Sequence, residues 1–183
     1  MDQVLYIQTQ RIELLPCSLE VAQAAIAKNA PLVEKYLAAF VPEDWYSADV
    51  QGFLPKYIEM LSADPSQLGY GIWLMIRTDD STLIGDVGFV GKSDNQESLE
   101  IGYEVLSAYR NQGYATEAVT AIVDFAFTQL QIKKIIAHTP QDNVASIQIM
   151  EKLGMQNLGL VELTHIPGVS MLKWELTVES INS

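Results

Sequence analysis

Seven residues, Arg110-Asn111-Gln112-Gly113-Tyr114-Ala115-Thr116, combine the types that point most directly to chemistry. They lie where a β-rich run gives way to helical period, with small residues at Gly113 and Ala115. The first turn of a helix leaves backbone N–H groups without intrahelical partners and carries the positive end of the helix dipole, so it holds an anion where side chains leave room. Gly113 and Ala115 leave that room. Arg110 adds a fork of charged donors, and the Thr116 hydroxyl can cap the helix or reach a phosphate oxygen. The same residues also read as an ordinary glycine turn before an amphipathic helix. Other phosphate-binding patterns fail: no G-x-x-x-x-G-K-[ST] occurs, and Gly69-Tyr70-Gly71 lacks the third glycine of a dinucleotide fingerprint and leads into a strand.

The elements that must position this loop follow from the period of the apolar residues. Leu5 to Leu15 alternates as a strand does, and Leu19 to Ala27 is an Ala-rich helix with Ser18 as N-cap. From Asn29 to Asp49 the pattern weakens around two prolines and several aromatics (Tyr36, Phe40, Trp45, Tyr46), and Val50 to Leu61 reads as an imperfect second helix. Tyr70 to Arg77, Thr82 to Lys92 and Ser98 to Val105 form an antiparallel meander, joined by the polar links Thr78-Asp79-Asp80-Ser81 and Ser93-Asp94-Asn95-Gln96-Glu97. After the loop come a helix from Thr116 to Leu130, a strand Lys134 to Thr139, a helix Asn143 to Leu153, and strands near Met155 to Leu163 and Val169 to Thr177. The strand-helix-strand crossover makes its two strands parallel, so the sheet is mixed. Ala118, Val119, Ile122, Phe125 and Ala126 share one face of the long helix and belong to the core.

A chain of 183 residues, 49% of them apolar, fits one globular domain spanning residues 1–183. No stretch is long and apolar enough to span a bilayer, and no signal-like segment opens the chain, so the expectation is a cytoplasmic protein without a membrane partner. The lone Cys17 excludes an internal disulfide and is read as filler. Eleven basic residues against 23 acidic ones leave a formal charge of −12, which argues against nucleic acid and suits cationic amines, although such charge also serves solubility alone. His138 in a strand and His165 in a loop lack acidic or thiol partners at ligand spacing, so no metal is expected.

With these residues in place the chain resembles the GNAT superfamily of N-acetyltransferases, and within it the RimJ/RimL-like branch. Arg110-x-x-Gly113-x-Ala115 matches the family's [Q/R]-x-x-G-x-[G/A] coenzyme A loop, Gly113 to Ala118 reads GYATEA as in this branch, and Ile101-Gly102-Tyr103 precedes the loop at the usual distance. About thirty residues on, Asp142-Asn143-Val144-Ala145-Ser146 through Glu151-Lys152-Leu153-Gly154-Met155 looks like the branch's N-x-x-S and E-K-x-G-[F/M] signature. The resemblance implies an α+β, three-layer fold with a mixed central sheet of about seven strands flanked by helices. It further implies that acetyl-CoA is the cosubstrate, that strands ending near Val105 and Thr139 splay, and that pantetheine bonds to the backbone at Glu104 and Val105. The pyrophosphate then sits on Gln112 to Thr116, within a cofactor-binding loop of Arg110, Asn111, Gln112, Gly113, Tyr114, Ala115 and Thr116. Asn143 contacts the pantetheine and Ser146, one turn on, approaches the sulfur; both also fit local roles, as an N-cap and a small helix residue.

Acetyl transfer to an amine needs a base, because a primary amine of pKa near 10 is mostly protonated at neutral pH. Glu100 and Glu104 share one strand face about 13 Å apart, so only one can serve the acetyl carbon, and Glu100 is preferred; a solvated charge is the plain alternative. Many relatives place a tyrosine general acid seven residues after the asparagine, where this chain has Met150, leaving Ser146 or water at the departing thiol. The Val105 N–H is a candidate oxyanion donor if the strand bulges there. The acceptor is an amine, either a protein N-terminus or a small molecule. A non-catalytic acyl-CoA-binding module is the alternative function, and the C-terminal strands can pair in a homodimer.

Overall fold

The computed structural model describes residues 5–92, 97–163 and 166–181. His165 and most of the link at Ser93–Gln96 lie outside the described residues. The eight strands are hydrogen-bonded in the order β1-β2-β3-β4-β5-β6-β8-β7: β1 is Ile7–Gln8, β2 Ile12–Pro16, β3 Ile72–Arg77, β4 Thr82–Lys92, β5 Ser98–Val105, β6 Lys134–Thr139, β7 Gln156–Glu162 and β8 Ser170–Thr177. The expected meander, the parallel β5/β6 pair and the α+β mixed sheet are present. The eighth strand arises because the run from Leu5 to Leu15 folds back on itself: Thr9 N–H bonds to the Ile12 carbonyl, and Ile7 and Gln8 pair with Leu14 and Glu13.

The chain divides into two compact units, residues 1–88 with 103–121, and residues 89–102 with 122–183. The first holds helices α1 (Leu19–Ile26), α2 (Ala30–Leu37) and α3 (Ala48–Ala63), each opened by a side chain that accepts a backbone N–H: Ser18 from Val21, Asn29 from Leu32 and Ser47 from Val50. Helix α2 falls in the stretch whose pattern is weak, because an eight-residue helix with Pro31 in its first turn shows little more than two turns of period. Pro55 lies inside α3, which accounts for its imperfect reading. This unit's core gathers Cys17, Val21, Val33, Trp45, Leu54, Tyr57, Leu74 and Leu83, all nearly or wholly buried. Tyr57 donates its hydroxyl proton to the Cys17 carbonyl at 2.8 Å, so its one polar atom is satisfied in the interior. Strand β4 carries an extra residue opposite Met75 and Ile76, and its Gly85 lets the Glu104 carbonyl come so near that a Cβ would stand 2.2 Å from that oxygen.

In the second unit β6 runs parallel to β5, with Ser98, Leu99 and Glu100 opposite Lys134, Ile135 and Ile136. Its other edge takes β8 antiparallel rather than the next strand in sequence, with His138 opposite Lys173 and Ala137 opposite Trp174. Leu99, Ile135, Ala137, Trp174 and Leu176 are buried, and the alternate residues of β6 are half-buried. Helix α5 (Val144–Lys152) starts at Asn143 and places Met150 and Ile149 in the interior.

Candidate functional site

In the first unit, helix α4 (Tyr114–Thr128) begins two residues before the sequence expectation. Its first intrahelical bond runs from Glu117 N–H to the Gly113 carbonyl at 3.0 Å, so the N–H groups of Tyr114, Ala115 and Thr116 precede it as the helix's open donors. Asn111 and Gly113 both have left-handed backbone, at φ 59° and 87°. Asn111, Gln112 and Gly113 are exposed, whereas Tyr114 is 6% exposed and anchors the turn. Gly113, exposed and without a side chain beside the open helix donors, leaves room for an anion such as a diphosphate.

Arg110 behaves differently from the expectation of a fork aimed at phosphate. Its Nε donates to the Val105 carbonyl at 2.7 Å and its Nη2 lies 3.5 Å from Glu104, so the guanidinium is turned back toward the strand. Leu106 N–H bonds to the Ile84 carbonyl at 2.9 Å, which fixes the backbone just beyond Val105. Glu104 also receives a long bond, 3.5 Å, from the Ser47 hydroxyl.

Near Glu104 stands a residue that the sequence reading passed over. Asp86 accepts the Trp45 indole N–H at 3.1 Å. Burial pushes its carboxyl up to about 7; the Trp45 bond opposes this, and the charges of Glu104 and Asp49 add to it. The signal was present: Asp86 is the one charged residue between Thr82 and Val90 in an otherwise apolar strand. Cys17 is fully buried and its thiol is pushed well above its usual range, first by burial and then by Asp86, so it is a core residue without nucleophilic character.

In the second unit Glu100 and His138 meet. His138 Nδ1 lies 2.7 Å from Glu100 Oε1, across neighbouring parallel strands. The histidine read as structural is therefore paired with the carboxylate read as the base. The β5/β6 pairing runs from Ser98 opposite Lys134 to Glu100 opposite Ile136, and β6 continues to Thr139. Asn143 Oδ1 accepts the Ser146 N–H at 3.1 Å, which makes Asn143 the N-cap of α5 and leaves its amide nitrogen turned outward from that bond. Ser146 is half-buried and Met150 wholly buried, so the position of the tyrosine common in relatives is filled by a packed thioether. Among the described residues no three or more His, Cys, Asp or Glu side chains gather as a metal would require.

Residues 11–156 match the family described as acetyltransferase (GNAT) domain. The chain belongs to the GNAT acetyltransferases. It is 26% identical over 148 residues to the uncharacterized N-acetyltransferase YjdG of Bacillus subtilis, a match that spans 81% of this chain and 88% of that protein. The same fold occurs in Mycobacterium smegmatis RimJ in complex with CoA-disulfide (TM-score 0.65, 18% identity, 98% of this chain and 90% of that one). It occurs also in the ribosomal-protein-S5-alanine acetyltransferase of Vibrio fischeri (TM-score 0.66, 14% identity, 94% and 96%). This GNAT chain is accordingly an acetyl-CoA-dependent N-acetyltransferase.

Proposed function

We propose that this GNAT enzyme, of the RimJ/RimL-like branch, seats the coenzyme pyrophosphate on Gln112 to Thr116 and transfers acetyl to a primary amine, with Glu100 and His138 acting together as the base. The observation that carries the reading is the loop: two left-handed residues, an exposed glycine with no side chain to obstruct a ligand, and three open helix donors in a row. Acetyl-CoA supplies an activated carbonyl and a thiol leaving group. The protein's part is to hold the donor, to remove the amine proton and to favour the developing negative oxygen. If His138 donates its Nδ1–H to Glu100, the imidazole keeps an acceptor lone pair on Nε2, which is what a general base needs; the carboxylate then fixes the tautomer and stabilises the imidazolium that forms. The partly buried position of both side chains supports this role.

The end of the β5/β6 pairing at Glu100 supports a place for pantetheine beside Gly102 and Ala137, with Asn143 and Ser146 near its sulfur end. The buried Met150 supports a reaction without a tyrosine acid, in which the thiolate departs with help from Ser146 or water, since a thiol of pKa near 8.5 leaves readily. The family match runs through both compact units, which supports one working acetyltransferase domain. Among the described residues no helix is long and apolar enough to cross a membrane, and the unpaired Cys17 thiol suits a reducing cytoplasm.

The test is thiol release from acetyl-CoA over a panel divided between N-terminal peptides and small amines, with Gly113→Arg as control. Release with one group, lost in the control, supports the reading and assigns the acceptor class. Coenzyme binding without release across the whole panel favours the acyl-CoA-binding module instead.

A further inference from the structure

Arg11 stands in the turn between β1 and β2, about a hundred residues before the coenzyme loop, yet its side chain is built into that loop. Its Nη1 donates to the Gln112 carbonyl at 2.9 Å. Its Nε donates to Glu117 Oε2 at 2.8 Å, with Nη2 at 2.7 Å from the same oxygen. The other oxygen, Glu117 Oε1, accepts the Arg11 backbone N–H at 2.8 Å and the Thr9 hydroxyl at 2.6 Å. The guanidinium carbon also lies 4.5 Å from the centre of the Tyr114 ring, and a Cβ at Gly113 would stand 3.2 Å from Nη2.

Two consequences follow from elementary geometry. The peptide between Gln112 and Gly113 is planar and trans, so its C=O and N–H point in opposite directions. Holding the Gln112 oxygen on Arg11 turns the Gly113 N–H the other way and fixes it as one more donor beside those of Tyr114 to Thr116. The second consequence concerns charge. Glu117 lies in the first turns of the helix whose N-terminus would receive an anion, and a bare carboxylate there would compete with it. Burial raises its carboxyl, but the bonds from Thr9 and Arg11 outweigh this and hold it below the ordinary value, so its charge is retained and matched.

We propose that Arg11 is a positioning residue for the acetyl donor: it orients the Gln112–Gly113 peptide and neutralises Glu117, so that the loop binds the coenzyme's pyrophosphate. This rests on the reading of Gln112 to Thr116 as the pyrophosphate seat. Arg11 acts through the loop, so its loss should weaken donor binding while leaving the chemical step intact.

The experiment compares wild type with Arg11→Gln, Arg11→Lys and Glu117→Gln, by calorimetric titration with CoA and by kinetics with two donors, acetyl-CoA and an acetyl-pantetheine that lacks the pyrophosphate. Arg11→Gln is expected to raise the Kd for CoA and the KM for acetyl-CoA by about ten- to a hundredfold, with kcat at saturating donor within about threefold of wild type. Its kcat/KM with acetyl-pantetheine should match wild type. Arg11→Lys keeps the charge but not the fork, and should remain impaired with acetyl-CoA. Glu117→Gln keeps the side chain's shape but sets an NH2 donor against the Arg11 Nε and Nη2 donors, so it loosens the fork while Nη1 still reaches Gln112, and should show a smaller loss in the same direction. Equal losses with both donors, or an unchanged Kd for CoA in Arg11→Gln, would overturn the assignment. If wild type itself binds no CoA, the loop reading falls and this inference with it, whereas binding by wild type with no effect of any of the three substitutions overturns the inference alone.

Discussion

Asp86 offers a prediction whose size can be worked from the structure. In the unfolded chain its carboxyl titrates near the ordinary value of 3.8, and in the fold it is pushed up to about 7 by burial and by the charges of Glu104 and Asp49. Between these two pH values the folded state holds a proton that the unfolded state has released. Stability therefore falls as pH rises through this window: the favourable state of Asp86 is fully present below about 4 and lost above about 7. The gap is about three pH units, and at about 1.4 kcal/mol per unit the ionised carboxylate costs up to about 4 kcal/mol at high pH. Relaxation and water around the charge recover part of this, so a net cost of about 2 to 4 kcal/mol is expected. Asp86→Asn keeps an oxygen for the Trp45 indole N–H and removes the charge. Urea unfolding of the two proteins from about pH 4 to about pH 8.5 should give equal stabilities at the acid end, with the variant ahead by that amount at the alkaline end. The net charge of −12 imposes a slope of its own, which the difference between the two proteins largely cancels. A difference that stays flat with pH, or a variant less stable than wild type at about pH 8.5, would refute the assignment of Asp86 as a strained carboxylate.

Three further outcomes are expected. Gly113→Ala places a Cβ at φ 87° and 3.2 Å from Arg11, so it should cost about 1 to 2 kcal/mol of stability in thermal unfolding and raise the KM for acetyl-CoA. Glu100→Gln and His138→Gln should each lower kcat by about a hundredfold or more, with the calorimetric Kd for CoA unchanged; a matched loss of CoA affinity would instead make the pair structural. Met150→Ala empties a fully buried site and should cost about 2 to 5 kcal/mol in urea unfolding, whereas a surviving kcat in that variant would show that the thioether takes no part in the chemistry.

Much of the candidate site's local structure is legible in the sequence because its signals are local. The Gly113 turn, the switch from strand to helical period and the N-cap at Asn143 each depend on residues within one or two helical turns of one another. The shift of the α4 start to Tyr114 has a local cause as well: Gly113 accepts the first helical bond, and Thr116 is already in the first turn. Asp86 could have been singled out as a lone charge in an apolar strand, but the displacement of its carboxyl could not, because that comes first from burial in the folded core and then from the charges of Glu104 and Asp49, set elsewhere in the chain.

The sequence by itself determined the period of most elements, the mixed character of the sheet, the glycine turn before α4 and the resemblance to the family. These follow from rules that relate each residue to its near neighbours in the chain. Tertiary structure alone decided which side chains meet: Arg11 with Glu117 and Gln112, Glu100 with His138, Arg110 turned back onto Val105, and β8 inserted between β6 and β7. Apolar period assigns a residue to a face and leaves its partner open. Partners separated by up to about a hundred residues are chosen by strand register and by the need to satisfy each buried polar group, and both are settled only when the whole chain has folded.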